Sequence, residues 1–194
     1  MPKLKTGWPV SIIVIFMTLI CQPWVNQLSW DRQLILKQDQ LWRLLSGIFV
    51  HANIWHALMN IAALGLISLL FASAFKWHQW LILIISLTII ANSLLLLQTQ
   101  TIDYVGLSGV LHGIVVYCAL TLYHKRPIES RFILTGVVIK LILEEWLPHG
   151  LGDQRLIGMP VATRVHLFFS ITAVLLFYLT HKFMHCRNRS STKR

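Results

Sequence analysis

Long blocks of apolar residues, separated by short polar segments, run through almost the whole chain. Six of these blocks approach the length of about 20 residues that an α-helix needs to cross the hydrocarbon core of a bilayer. They predict an all-α membrane protein, a bundle of six transmembrane helices. The predicted spans are approximately Trp8–Trp24, Ile54–Phe75, Trp80–Leu97, Leu107–Tyr123, Phe132–Leu147 and Val165–Phe183.

The polar connections between these spans predict one domain. The longest, from Val25 to Ala52, mixes Leu and Trp with charged residues, which favours amphipathic pieces at the membrane interface. A second outer loop, Pro148 to Thr163, is rich in Gly and Pro. We expect residues 1–185 to form the six-helix domain and residues 186–194 a basic cytoplasmic tail. The first apolar block lacks a small-x-small cleavage site and is therefore predicted to be a retained span.

Composition and charge agree with a membrane location. Hydrophobic residues make up 56% of the chain and charged residues 12%, whereas a soluble domain carries about 25% charged residues. Eleven of the 17 Lys and Arg residues fall on one predicted side of the membrane, five on the other, and Lys140 lies within a span. This asymmetry places both termini in the cytoplasm. The net charge of +10 is therefore assigned to lipid headgroups, and no nucleic-acid partner is expected.

Polar side chains occur at one predicted depth, near the outer ends of spans two, four and six. Polar groups at membrane depth are costly and usually face a cavity or one another. Their shared level therefore predicts a common site. The residues concerned are His51, His56 and Asn60 in or beside span two, Ser108 and His112 in span four, and His166 in span six.

Acyl transfer is the chemistry that this set fits. A serine is a weak nucleophile until a base accepts its proton, so His166 is predicted to activate Ser108 and then to protonate the leaving amine. Oxyanion charge needs fixed donors, which His56, Asn60 and the backbone N–H of Ser108 are predicted to supply. The sequence places no carboxylate as a third member, so it predicts a Ser–His dyad, with His112 the nearby group that orients the base.

The order and spacing of these motifs resemble the rhomboid intramembrane serine proteases. The resemblance covers all six spans. It rests on Gly106-Leu-Ser108-Gly109, on the upstream His51-x4-His56-x3-Asn60, and on His166 in the last span. Gln40-Leu-Trp42-Arg43 is similar to that family's first-loop motif. The resemblance implies catalysis by Ser108 and His166, support from His56, Asn60, Gly106 and His112, and no cofactor or metal.

The small size, the His after Ser-Gly-Val-Leu, and the segment Pro160-Val-Ala-x3-His166-Leu167 most resemble the rhombosortase branch. That resemblance implies membrane-anchored substrates with C-terminal tails made of a Gly-Gly motif, a hydrophobic helix and a basic end. It also implies a bacterial inner membrane, with the active site facing the periplasm. A general rhomboid protease of other transmembrane substrates is the alternative within the family.

Two positions depart from the family pattern. Many rhomboids have Tyr where His112 stands, so His112 is expected either to stack on the catalytic histidine or to form a hydrogen bond. The last span usually reads His-x-x-Gly-x-x-x-Gly, and Phe169 and Ala173 occupy the glycine positions here. Glycines on facing helices allow close approach. Phe169 therefore keeps open a non-enzymatic alternative, an inactive rhomboid-like protein that binds membrane helices.

Span five holds charged residues that admit other interpretations. Lys140 and Glu144 stand four residues apart and are predicted to form a structural ion pair. The functional alternative is that Glu144 or Glu145 lines the substrate entrance and recognises a polar or amine group. Glu144-Glu145 also invites comparison with membrane CAAX-type metalloproteases, whose Glu-Glu-x-x-x-Arg motif has His149 in place of Arg here. His51 is interpreted as a structural or interfacial residue.

Overall fold

A computed structural model describes residues 6–147, 158 and 162–191, with side chains as far as Lys182. Helices hold 77% of the residues, which confirms the all-α prediction. The outer loop predicted from Pro148 to Thr163 lies outside the described residues except for Gly158, Ala162 and Thr163. His149 and the segment Pro160-Val-Ala, apart from its last residue, lie outside them as well.

Among the described residues, four helical stretches are long and apolar enough to span a membrane by length and composition: Trp8–Leu28, Ile54–Ala74, Trp77–Leu95 and Thr163–Lys182. The first begins with helix α1 (Trp8–Cys21), and the next two contain α5 (Ile54–Phe71) and α6 (Trp77–Leu95). The last belongs to α9 (Thr163–Ser191), which extends into the predicted tail.

Two further helices match the remaining predicted spans but are less typical. Helix α7 (Ser108–Leu122) has 15 residues, or about 22 Å at 1.5 Å per residue, which is less than the thickness of the hydrocarbon core. A helix of this length that is embedded in the membrane therefore has at least one end within the hydrocarbon core. Helix α8 (Pro127–Trp146) begins before the predicted Phe132, because Pro127 is well suited to the first turn of a helix.

The loop between the first two long helices folds into short elements. They are α2 (Val25–Leu28), β1 (Trp30–Asp31), α3 (Arg32–Gln38) and α4 (Arg43–Ser46). The Asp31 carboxylate caps α3 by accepting the Leu34 N–H at 2.9 Å. Arg43 donates to the Ser29 and Asn26 carbonyls at 2.7 and 3.0 Å and to Gln40 Oε1 at 2.7 Å. The Gln40-Leu-Trp42-Arg43 motif therefore ties this loop to itself.

A two-stranded antiparallel sheet connects this loop to the segment that precedes Ser108. Strand β1 pairs with β2 (Asp103–Tyr104), with Trp30 opposite Tyr104. Trp30 is fully buried, and its ring lies 5.4 Å from that of Tyr104. The Tyr104 hydroxyl donates to Asn92 Oδ1 on α6. The loop between α1 and α5 thus holds the start of α7 against the bundle.

Close packing of α7 against α6 and α9 forms the centre of the bundle. A Cβ atom at Gly109 would lie 2.8 Å from both Phe169 Cδ2 and Val165 Cγ1. At Gly113 it would lie 3.0 Å from Leu87 Cδ2 and 3.2 Å from the Phe169 carbonyl. Phe169 is completely buried, so α7 supplies the small residue at the contact where α9 carries a large one.

We predict that Gly109→Ala destabilises the bundle, because the new methyl group would lie 2.8 Å from two buried side chains, which would have to shift to admit it. Overpacking of this kind costs about 1–3 kcal/mol. Thermal unfolding in detergent micelles measures the loss. Gly65→Ala is the matched control, since a Cβ atom there meets nothing within 4 Å. Equal stability of the two variants would contradict the packing argument.

Candidate active site

Ser108 is the first residue of α7 and is half-buried. The chain reaches it through Gly106, whose φ of +118° is rarely adopted by residues with a side chain. The Gly106 N–H donates to the Gly47 carbonyl at 3.1 Å, which anchors this turn to the loop between α1 and α5. Ser108 therefore projects from a fixed helix start.

His166 reaches Ser108 from the first turn of α9. Its Nε2 atom lies 2.8 Å from Ser108 Oγ, a distance at which the hydroxyl donates a hydrogen bond to the imidazole. The His166 side chain is buried. Of the predicted site residues, these two form the pair with the geometry of a nucleophile and its base.

His112 covers one face of the His166 ring. The two ring centroids lie 4.1 Å apart and the planes differ by 14°, so the rings are stacked. His112 Nδ1 lies 2.8 Å from the Ser108 carbonyl oxygen and donates to it. This second contact fixes the tilt of His112, so of the two expected contacts with His166 the described residues show stacking.

A carboxylate contacts the ring nitrogen of His166 that does not face Ser108, contrary to the prediction that no carboxylate lies there. Glu144 Oε2 is 2.8 Å from His166 Nδ1, and Glu144 Oε1 is bonded to Lys140 Nζ. The predicted Lys140–Glu144 pair is confirmed, but it also touches the histidine. The expectation that no carboxylate lies in a third-member position is therefore wrong, whereas catalysis by Ser108 and His166 stays a prediction. Helix α8 ends one residue after Glu145, which brings Glu144 to the level of the first turn of α9.

His56 and Asn60 lie on the facing wall, in the first two turns of α5. Asn53 caps this helix by accepting the His56 N–H at 2.9 Å. The Asn60 amide donates to the His56 carbonyl at 2.9 Å. A Cβ atom on Gly106 would lie 2.8 Å from His56 Cε1. Glycine at position 106 thus permits the loop before Ser108 to pack directly on the His56 ring.

A cavity of about 470 Å³ connects these groups. It is lined by four of the predicted site residues besides Ser108: His56, Asn60, His112 and His166. Most of the remaining lining is apolar and comes from α5, α7 and α8. Three polar residues in the lining were not predicted as site residues: Asp103, Tyr104 and Lys140. Ser108 and His166 therefore border a largely apolar cavity whose volume lies in the range of known ligand pockets.

His51 supports the segment that precedes Ser108. Its Nε2 atom accepts the Leu107 N–H at 3.3 Å, just before Ser108. Burial, and then the neighbouring His56, lower the pKa of His51 to about 3. The ring is therefore neutral at ordinary pH and keeps the lone pair that this bond needs. This contact agrees with a structural role for His51.

Three potential metal ligands also meet here. One ligand atom each from His112, Glu144 and His166 lie within 4.8 Å of one another. However, stacked rings direct their in-plane lone pairs along parallel planes, whereas a metal needs them to converge on one point. His112 Nδ1 and His166 Nδ1 are also already bonded to oxygen atoms. The arrangement suits proton transfer better than metal ligation.

The missed member of the site, Glu144, had a signal in the sequence. A carboxylate in the last turn of one span lies at the same depth as a histidine in the first turn of the next span. Charged residues at that depth need a partner. Lys140, one turn away, offered a sufficient partner for Glu144, so the second contact was not inferred.

Comparison with known families identifies the fold to which this site belongs. The family model described as the Rhomboid domain matches residues 38–183 of the 194. A search of curated proteins gave no match. The matched region contains every residue of the site described above. With its apolar helices, the chain therefore belongs to the rhomboid family of intramembrane proteases.

Proposed function

We propose that this chain is an active intramembrane serine endopeptidase in which Ser108 is the nucleophile and His166 the general base. The observation that carries the proposal is the 2.8 Å contact between Ser108 Oγ and His166 Nε2 in a cavity large enough for a peptide segment. Phe169 does not hold α9 away from α7, because Gly109 leaves room for its ring. This packing supports an active protein over an inactive relative.

The proposed reaction begins with attack of Ser108 Oγ on a substrate carbonyl carbon while His166 Nε2 takes the hydroxyl proton. The carbonyl electron pair moves onto the oxygen, which Asn60, His56 and the Ser108 N–H stabilise. When the C–N bond breaks, the Nε2 proton passes to the leaving amine. Water then attacks the acyl-enzyme by the same proton route, which releases the new carboxylate and restores Ser108.

The proposed topology has six spans, both termini in the cytoplasm, and the site facing the periplasm of a bacterial inner membrane. The charge asymmetry along the sequence supports it. A transmembrane substrate would enter sideways between α5 and α8, since both helices line the cavity.

The proposed substrates are exported proteins with a C-terminal tail of Gly-Gly, a hydrophobic helix and a basic end. The support is the similarity of the Ser108, His112 and His166 segments to the rhombosortase branch. Gly residues near the cut would let the substrate helix unwind and expose a carbonyl group to Ser108. A general rhomboid protease acting on other transmembrane helices is the alternative.

Co-expression with an exported reporter that carries such a tail tests this proposal. We expect the wild type to cleave near the Gly pair, and Ser108→Ala and His166→Ala to lose cleavage because each removes one partner of the proton transfer. Mass spectrometry of the new C-terminus locates the cut. Ser93→Ala and His124→Ala are the matched controls. Cleavage elsewhere in the tail would favour the general rhomboid, and full activity of Ser108→Ala would exclude the serine mechanism.

The oxyanion role of Asn60 gives a separate prediction. We expect Asn60→Ala to lower kcat by about 10²–10³-fold with little change in KM, because the bond is made only to the developing charge. Gln100→Ala, which removes an exposed amide from a loop, is the control. Steady-state kinetics in detergent measures both constants. An unchanged kcat would contradict the oxyanion role and leave Asn60 with a structural role within α5.

The metal-dependent alternative rests on the proximity of His112, Glu144 and His166. It differs from the serine mechanism in one measurable response. A zinc chelator should leave cleavage by the serine mechanism within about twofold of its starting rate, because no step of acyl transfer to Ser108 needs a Lewis acid. Loss of activity on chelation, and recovery with added Zn²⁺, would favour the metal.

A further inference from the structure

We infer that Glu144 is a positioning residue that fixes the tautomer of His166 and, with Lys140 on its second oxygen, makes the site a Ser108–His166–Glu144 triad. This inference rests on the proposed proteolytic function. It assigns a chemical task to a pair that the sequence explains as a structural contact within α8.

The two oxygens of Glu144 are divided between two partners. Oε2 faces His166 Nδ1 at 2.8 Å, and Oε1 receives the Lys140 ammonium group. The Glu144 side chain is 5% exposed and that of Lys140 is 38% exposed. Each partner therefore holds one oxygen, and the carboxylate cannot rotate without losing both bonds.

This division determines where His166 carries its proton. An ionised carboxylate only accepts hydrogen bonds, so the 2.8 Å contact requires the proton to be on Nδ1. A neutral imidazole with its proton on Nδ1 has a lone pair on Nε2, the atom that faces Ser108 Oγ. The other tautomer would present an N–H to the serine and could not accept its proton. Glu144 thus selects the reactive form of the base.

Lys140 keeps Glu144 in the form that this task needs. A buried carboxylate without a counter-charge tends to take up a proton, and a protonated Glu144 could donate to Nδ1 and reverse the tautomer. A cation one turn away on the same helix stabilises the ionised state. Lys140 also lines the cavity, so the pair reaches from the cavity wall to the back of the histidine.

Glu144 also balances the charge that develops during attack. When Nε2 takes the Ser108 proton, His166 becomes an imidazolium ion with both ring nitrogens protonated. The Glu144 carboxylate then faces a positive charge and remains ionised throughout, because no proton transfer to it is needed. Stacking on His112 holds the ring plane, whereas Glu144 determines the direction in which Nε2 points.

A test of pH dependence has to take account of the other titratable groups near His166, because each of them could also shift the pH profile. Glu144 lies behind the ring at Nδ1, and α6 contributes no titratable side chain beyond His78 in its first turn. The groups that share the cavity with His166 are His56, Asp103, His112 and Lys140. Variants at Glu144 leave His56, Asp103 and His112 unchanged but remove the partner of Lys140, so a shift of the profile reports on the Lys140–Glu144 pair as a whole.

The first test is kinetic and uses Glu144→Gln, an isosteric change. Lys140 only donates and will take the amide oxygen, which leaves the amide NH₂ to face Nδ1 and impose the wrong tautomer. We expect kcat to fall by at least about 10²-fold with KM within about threefold, as for loss of the orienting acid in other triads. Glu145→Gln, an exposed neighbour, should match the wild type. A kcat for Glu144→Gln within about threefold of wild type would overturn the inference.

The second test separates positioning from a merely structural role. In Glu144→Ala the imidazolium form loses its counter-charge, so the acidic limb of the kcat/KM profile should move to lower pH. A structural contact would lower the plateau without moving the limb. Thermal unfolding shows whether Glu144→Ala is folded. If it is not, the pH profile is measured on Glu144→Gln, which keeps the volume of the side chain. A profile that falls but does not shift would overturn the inference.

A third measurement does not depend on proteolysis. In ¹⁵N-histidine NMR spectra of the full chain, assigned by difference with His166→Ala, we expect the His166 proton on Nδ1 in the wild type and on Nε2 in Glu144→Gln. Labelling of Ser108 by a fluorophosphonate probe reports serine activation separately. If Ser108 is not labelled but the NMR spectra show the expected tautomers, the proposed function is contradicted and the role of Glu144 in fixing the tautomer is kept. An Nε2 proton in the wild type would overturn that assignment.

Discussion

The contact between the start of α7 and the start of α9 is the constraint on which the site depends. Ser108 and His166 belong to different helices, and a proton can pass between them only if the two backbones come close together. Gly109 provides this proximity by leaving space for Phe169. The 2.8 Å separation of Ser108 Oγ and His166 Nε2 is therefore a consequence of the packing of Gly109 against Val165 and Phe169.

The loop between α1 and α5 and its small sheet also support this contact, because they hold the segment that precedes Ser108. Trp30 and Tyr104 pack together where β1 meets β2, and His51 accepts the Leu107 N–H. These contacts fix the backbone just before Ser108. Because α7 is too short to reach across the hydrocarbon, the loop and not the lipid has to hold its first residue in place.

Buried charge is tolerated around His166 because each group has a partner. Glu144 contacts both Lys140 and His166, and His112 uses the Ser108 carbonyl as an acceptor. A half-satisfied network at this depth would be destabilising. The same bonds that remove this penalty also orient the imidazole, so stability and the proposed chemistry impose the same arrangement on the helices.

Hydropathy, charge asymmetry and motif spacing were enough to predict a helical membrane protein, its rhomboid family, and the group of polar residues that shares one cavity. These features are local in sequence or depend only on depth in the bilayer, which each span sets independently. The position of Glu144 behind His166, the stacking of His112, and the accommodation of Phe169 by Gly109 were decided by tertiary structure. They depend on how each helix is rotated about its axis and how closely neighbours approach, and side chains from several helices determine both together.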